Sequence, residues 1–353
     1  MSIRSIAKKQ FQLRQTEKFN EYIRSLAWSP SGDRLAVISS GGELALWQEG
    51  KVDFLQVASN SSLDCVGFSA SGQYLATGGQ SGKIQIWQLV ANSQAFELIA
   101  TLDNGSAWID SLAWNPQQNL LAFAVNRQVK IWSGQTQSIV QDLDFAASSV
   151  FNLAWHPQGN FLAVSGHGGV KVWQSDDWEQ EPYQLAVPGA SLDCAWSSDG
   201  KYLASGNLDR TISLLHWDNP PPWLMQGFPG KVSQVVWSHH QDQSLLAATC
   251  QEGIIIWQFD RKSKNWQSHV LQHQKIVHAI AFAPNSSLLA STGDDGSIKL
   301  WQQGKKLKQT LERGTGLSCL AWHPQGKYLA AGAQDGALTI WQSSVAGKGF
   351  GSN

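Results

Sequence analysis

An internal period of just over forty residues constrains this chain more than any other feature. An aromatic residue ending a short apolar run recurs at Trp28, Phe68, Trp114, Trp155, Trp196, Trp237, Phe282 and Trp322. The gaps are 40, 46, 41, 41, 41, 45 and 40 residues. Each anchor is followed by a turn and then by an apolar run containing Leu-Ala, at 35–36, 75–76, 121–122, 162–163, 203–204, 246–247, 289–290 and 329–330. A third run then closes on Trp or a substitute. Short β-prone runs divided by Gly, Pro, Asn and Asp turns read as strands. Their spacing is that of a four-stranded propeller blade.

The unit at Leu271–Gln302 carries four further residues at set positions. His273 lies nine residues before Phe282, Ser291 four before Asp295, and Trp301 six after it. At all four positions the stretch resembles a WD repeat, and the eight units together extend that resemblance from residue 20 to 342. The resemblance implies a buried relay, His273–Ser291–Asp295–Trp301, tying a turn to the inner strand. Such a relay is physically sound, because buried polar groups need partners and a closed network satisfies each of them. It also implies an all-β fold, a closed β-propeller of four-stranded antiparallel blades; the eight anchors set the expected count at eight blades, with seven, the commonest number in that family, as the alternative. Most other units depart from the relay: Ser40-Gly41-Gly42 replaces the Asp turn in unit one, the turn shortens at Val125-Asn126-Arg127 in unit three, and Arg313 fills the His slot in unit eight. In unit five the third strand closes at Leu215, so His216-Trp217-Asp218 extends it.

The chain is expected to be one propeller over residues 1–344, with 345–353 as a flexible Gly-rich tail. The last unit has only three strands of its own, and 9–16 alternates weakly enough to serve as its fourth. An N-terminal strand in that position would close the ring and remove an exposed edge.

Composition excludes several classes of function. Charged residues make up 15% of the chain and the net charge is −1, which gives no electrostatic case for nucleic acid or an anionic membrane. No apolar run is long enough to span a bilayer, and the basic N-terminus lacks the apolar stretch of a signal peptide. Cys65, Cys194, Cys250 and Cys319 show no CxxC spacing and read as free thiols of a reducing compartment, so the cytoplasm is the expected location. The run Gly78-Gly79-Gln80-Ser81-Gly82-Lys83 hints at a phosphate loop, but it joins two strands and opens no helix, so it reads as a turn. No nucleophile elbow, metal-spaced His/Cys pair or nucleotide-binding unit is present, so neither a catalytic residue nor a metal or cofactor site is assigned.

What remains is a rigid scaffold. The resemblance implies partner docking on the face made by the loops entering the inner strands and by the turns after the second strands. The expected partner-binding residues there are Tyr22, Arg24, Asp64, Gln80, Trp108, Asp110, Phe151 and His278. Trp, Tyr and Arg are the residue types that dominate binding hot spots. The expected function is non-catalytic protein–protein interaction by a monomeric propeller. One alternative is a small-ligand or metal site using His167 and His278 at the channel mouth. Another is an enzyme built on Asp64 and Asp110.

Overall fold

The structure, a computed structural model, describes residues 10–91, 93, 95–145, 148–239, 244–251 and 253–344. The expected tail at 345–353 and the first residue of the 9–16 strand lie outside them. Among the described residues every regular element is a β-strand, and every strand pairing is antiparallel.

The strands form seven hydrogen-bonded sheets, six of them four-stranded. The count of sheets is therefore the alternative, seven, and the expectation of eight separate four-stranded sheets is corrected. Units four and five share one six-stranded sheet, running from Val150–Trp155 to Trp223–Met225. The cause is two strands of 14 residues each, Phe161–Gln174 and Tyr183–Trp196. Each serves two places. The first half of Phe161–Gln174 pairs with Val150–Trp155, and its second half pairs with the start of Tyr183–Trp196. The end of Tyr183–Trp196 then pairs with Tyr202–Asn207 as the inner strand of unit five. The strand runs unbroken through Gly166-His167-Gly168-Gly169, where Gly168 and Gly169 take φ of 83° and 128° and the pairing register shifts between His167 and Gly169.

The inner strands nevertheless follow the eight sequence units. Ile23–Trp28 touches Leu63–Phe68, and contact passes on through Leu112–Trp114, Val150–Trp155, Tyr183–Trp196, Gln234–Trp237, Val277–Phe282 and Leu317–Trp322, which touches Ile23–Trp28 again. The ring is closed. Its core is made by the second and third strands: Leu35, Ala36, Leu75, Ala76, Leu121, Ala122, Leu162 and Ala163 are all fully buried. The Leu-Ala pairs thus mark the centre of each layer.

Six of the anchors also stitch one unit to the one before it. Their indole N–H groups donate to carbonyls of the preceding inner strand: Trp28 to Ala321, Trp114 to Gly67, Trp155 to Ala113, Trp196 to Ala154, Trp237 to Ala195 and Trp322 to Ala281, at 2.9–3.2 Å. The acceptor is in each case the residue before the neighbouring anchor. Phe68 and Phe282 have no such donor. At the second of these seams the Gln234 side chain takes over, accepting from Ile280 N at 3.0 Å and donating to Ile280 O at 3.3 Å.

Closure comes from the strand Phe11–Lys18, which pairs with Ala337–Ser343 from Phe11↔Ser343 to Lys18↔Ala337, with an irregularity between Leu13 and Gln15. Both neighbouring units hold it. On one side the Gln309 amide accepts from Gln10 N and Phe11 N and donates to Phe11 O. On the other, Gln15 accepts from the Trp47 indole at 3.0 Å and donates to Gly50 O at 2.9 Å. Phe11 is buried and meets Trp322 edge-on at 5.4 Å.

Candidate functional site

The relay residues meet. His273 Nδ1 lies 2.9 Å from Asp295 Oδ2 and its Nε2 lies 2.7 Å from Ser291 Oγ, which also accepts from the Trp301 indole at 2.8 Å. Burial holds the His273 imidazole below its ordinary pKa. Burial would raise Asp295, but the charge and hydrogen bond of His273 bring it below the usual carboxylate range. In units that lack the relay the indole is left without its acceptor: the buried N–H groups of Trp87, Trp132 and Trp257 have no hydrogen-bond partner among the described residues. Unit one escapes this because Gln15 serves Trp47.

On the face opposite the second-to-inner strand turns, five of the eight expected binding residues gather around one carboxylate. Asp64 accepts from Arg24 Nε at 2.8 Å, from Ser62 Oγ at 2.8 Å and from the Trp108 indole at 2.8 Å. Its side chain is only 2% exposed. Arg24 in turn lies over the Tyr22 ring, 5.6 Å from the centroid. Asp110 completes the group. Desolvation raises its pKa, the charge of Asp64 adds to the rise, and its own backbone hydrogen bond and Arg24 oppose it. Asp64 thus organises the patch rather than offering itself, while Trp108, 52% exposed, is the group presented to solvent.

The other three lie apart. Phe151 packs against His167 with ring centroids 5.1 Å apart. His278 pairs with Asp294 at 2.7 Å, and Asp294 also accepts from Gln334 at 2.9 Å. Gln80 is exposed, and its backbone N–H bonds Ser62 O in the turn between Tyr74–Gly79 and Lys83–Leu89. His167 and His278 therefore have separate partners, and no group of three or more His, Cys, Asp or Glu among the described residues is placed to hold a metal.

A second set of residues escaped the sequence reading. Three positions before their anchors, five side chains reach toward the next unit, among them Cys65 to Ile109 O, Asn152 to Cys194 and Cys319 to Ile23 O. Gln234 does so as described, and Asp193 Oδ2 accepts from Val235 N at 2.8 Å. Burial pushes Asp193 up to about 7, against the hydrogen bonds from Val235 and Cys194. The signal was available as Ser25, Cys65, Ser111, Asn152, Asp193, Gln234 and Cys319 at equal register, but Ala279 interrupts it in unit seven and it is subordinate to the apolar period.

This carboxyl makes stability pH-dependent in a defined sense. Its folded pKa lies above the ordinary 3.8. Its favourable contribution is thus complete below 3.8, falls as the pH rises toward about 7, and is gone above it. Asp193→Asn is expected to stabilise the protein by on the order of 2 kcal/mol at pH 8 and by almost nothing at pH 4. Denaturant midpoints at the two pH values measure this, and an equal gain at both would contradict it.

Two matches agree with this geometry. Residues 53–88, 188–217, 265–302 and 305–342 match the family described as "WD domain, G-beta repeat". Residues 112–179 match "Anaphase-promoting complex subunit 4 WD40 domain". The ring, its repeats and its relay define an all-β propeller. The chain belongs to the WD-repeat propellers. Among solved structures it is similar to the crystal structure of the computationally designed Ika8 protein, at 18% identity and a TM-score of 0.75, over 92% of this chain and 98% of that one. That likeness concerns the fold alone. No helix of the described residues is long and apolar enough to cross a membrane.

Proposed function

We propose that this protein is a non-catalytic interaction scaffold that captures a protein segment on the face formed by units one to three. WD-repeat propellers typically mediate protein–protein interaction. The observation that carries the finer reading is the posture of Trp108: half exposed, yet held by a bond to the enclosed carboxylate of Asp64. A fixed, wetted indole beside a guanidinium and a phenol loses little side-chain freedom on binding, which is the character of a hot spot. Asp110 belongs to the same cluster, while Phe151, Gln80 and His278, which lie apart from it, are secondary candidates for contact with the partner. The net charge and the absence of a basic stripe favour a protein partner over nucleic acid or a lipid surface. Free thiols at Cys65, Cys194, Cys250 and Cys319 favour a reducing compartment such as the cytoplasm, and a monomer is the expected state.

The test is quantitative capture from an extract of the native cell with wild-type, Trp108→Ala and Trp108→Ala/Arg24→Ala bait. Truncating the anchor is expected to cost about 2 kcal/mol of binding, a loss of more than tenfold, with the single variant melting close to wild type. Retained capture by the folded double variant would place the binding surface elsewhere.

A further inference from the structure

Trp217 lies two residues beyond Leu215, which fills the strand-closing position of unit five. It follows the strand Ile212–His216, and its backbone N–H bonds Lys201 O, which turns the indole toward unit four. There it meets Phe161 at 5.0 Å and 60° and Tyr183 at 5.5 Å and 73°, while Trp196 braces it from behind at 4.9 Å. Phe161, Tyr183 and Trp217 thus present steeply inclined rings to a cavity of about 320 Å³. Glu181 contributes a carboxylate to its lining, and Gln174 and Gln180 contribute amides. Tyr183 is 39% exposed, so the cavity opens to solvent on that side. It lies at the opposite ends of the strands from the Trp108 patch.

The chemistry of this lining selects a ligand class. Three aromatic rings line the cavity, and an aromatic ring attracts a cation over its face, an attraction to which the Glu181 carboxylate adds. The adjoining sequence has the same sign: residues 176–181 hold four acids and no base, and Asp218 follows Trp217. A metal ion needs several converging oxygens, and only one carboxylate lines the cavity. A primary ammonium is strongly hydrated and asks for three acceptors, whereas aromatic walls recognise a cation whose charge is spread over methyl groups. A second cavity, of about 420 Å³, provides the contrast. Gln73, Gln118, Asn119 and Gln135 line it with a single ring, Tyr74, and no acid. Nothing there favours a cation.

We propose that the Phe161–Tyr183–Trp217 cavity is a receptor for a trimethylammonium group, carried either by a choline-like small molecule or by a trimethylated lysine side chain. The full-length chain is titrated calorimetrically with choline and with 3,3-dimethylbutan-1-ol, its uncharged isostere. Saturable choline binding is expected, with the isostere weaker by about tenfold or more. Tyr183→Ala and Glu181→Gln, both at exposed positions, are each expected to weaken choline by about fivefold or more without moving the melting temperature. A short peptide bearing trimethyl-lysine, compared with its unmodified form, identifies the source: tighter binding than choline points to a protein side chain, and choline alone points to a small molecule. Equal binding of the neutral isostere, binding unaffected by Tyr183→Ala, or no binding of any probe would overturn the proposal. The Trp108 variants are expected to bind choline normally, so this site and the protein-binding face fail or stand separately.

Discussion

A chain that begins at Phe19 is expected to be less stable than the full chain by about 3 kcal/mol or more, and to self-associate on warming. The strand lost, Phe11–Lys18, supplies the fourth place of the last unit and pairs along the whole of Ala337–Ser343. Burial of Phe11 alone contributes about 2 kcal/mol. The Gln309 and Trp47 side chains lose the partners that the strand gives them. The edge laid bare is an apolar strand that can recruit another chain. Thermal denaturation followed by light scattering measures both effects. A synthetic peptide of residues 10–18 is expected to restore part of the lost stability by pairing with the open edge. A truncated chain that melts as the full one does, without scattering, would show that the strand is dispensable.

The second large effect is expected in unit seven. His273→Ala should destabilise by about 3 kcal/mol, since it leaves the carboxylate of Asp295 enclosed without its main partner and Ser291 with one bond fewer. The His273 side chain is 0% exposed, so water cannot readily replace it. Arg313→Ala, at the corresponding position of unit eight, provides the comparison. Arg313 lies 3.8 Å from Asp335 with both side chains partly open to solvent, and such pairs contribute about 1 kcal/mol or less. Urea titrations of the two variants should therefore separate widely. Equal losses would mean that the closed relay adds nothing beyond an ordinary surface pair.

The parts of the fold that rest on apolar burial were legible in the sequence. Anchors and Leu-Ala pairs repeat because each layer needs the same volume filled, and they locate all eight inner strands. The merging of units four and five was not legible. It depends on whether backbone pairing continues through the Gly166–Gly169 reversal and across Val187–Ala190, and no side-chain pattern records that. The relay of unit seven could be read from spacing alone. Its absence elsewhere could be read too, but not that Trp87, Trp132 and Trp257 would keep buried indole N–H groups without partners. At the binding face the residue types were visible and their roles were not. Asp64 looked like a contact residue equal to Trp108, yet three donors enclose it and its part is to fix the indole and guanidinium around it. Asp193 went unremarked because one acid at one register position stands out only when its neighbour across the seam is known.

The indole bonds between units have a further consequence when the ring is viewed as an assembly. The six seams that carry such a bond each join the front of one unit to the back of the previous one, so the contacts are heterologous, as between subunits related by rotation alone. Nothing in such a contact states how many units there should be. The same donor and acceptor would serve a ninth copy as well as a third, and a step angle that failed to close would give an open spiral. Ring size is thus a property of accumulated rotation, and the strand Phe11–Lys18 acts as its terminator. By giving the last unit a strand from the chain's beginning, it makes the final seam intramolecular and confines a contact capable of indefinite propagation to a single molecule.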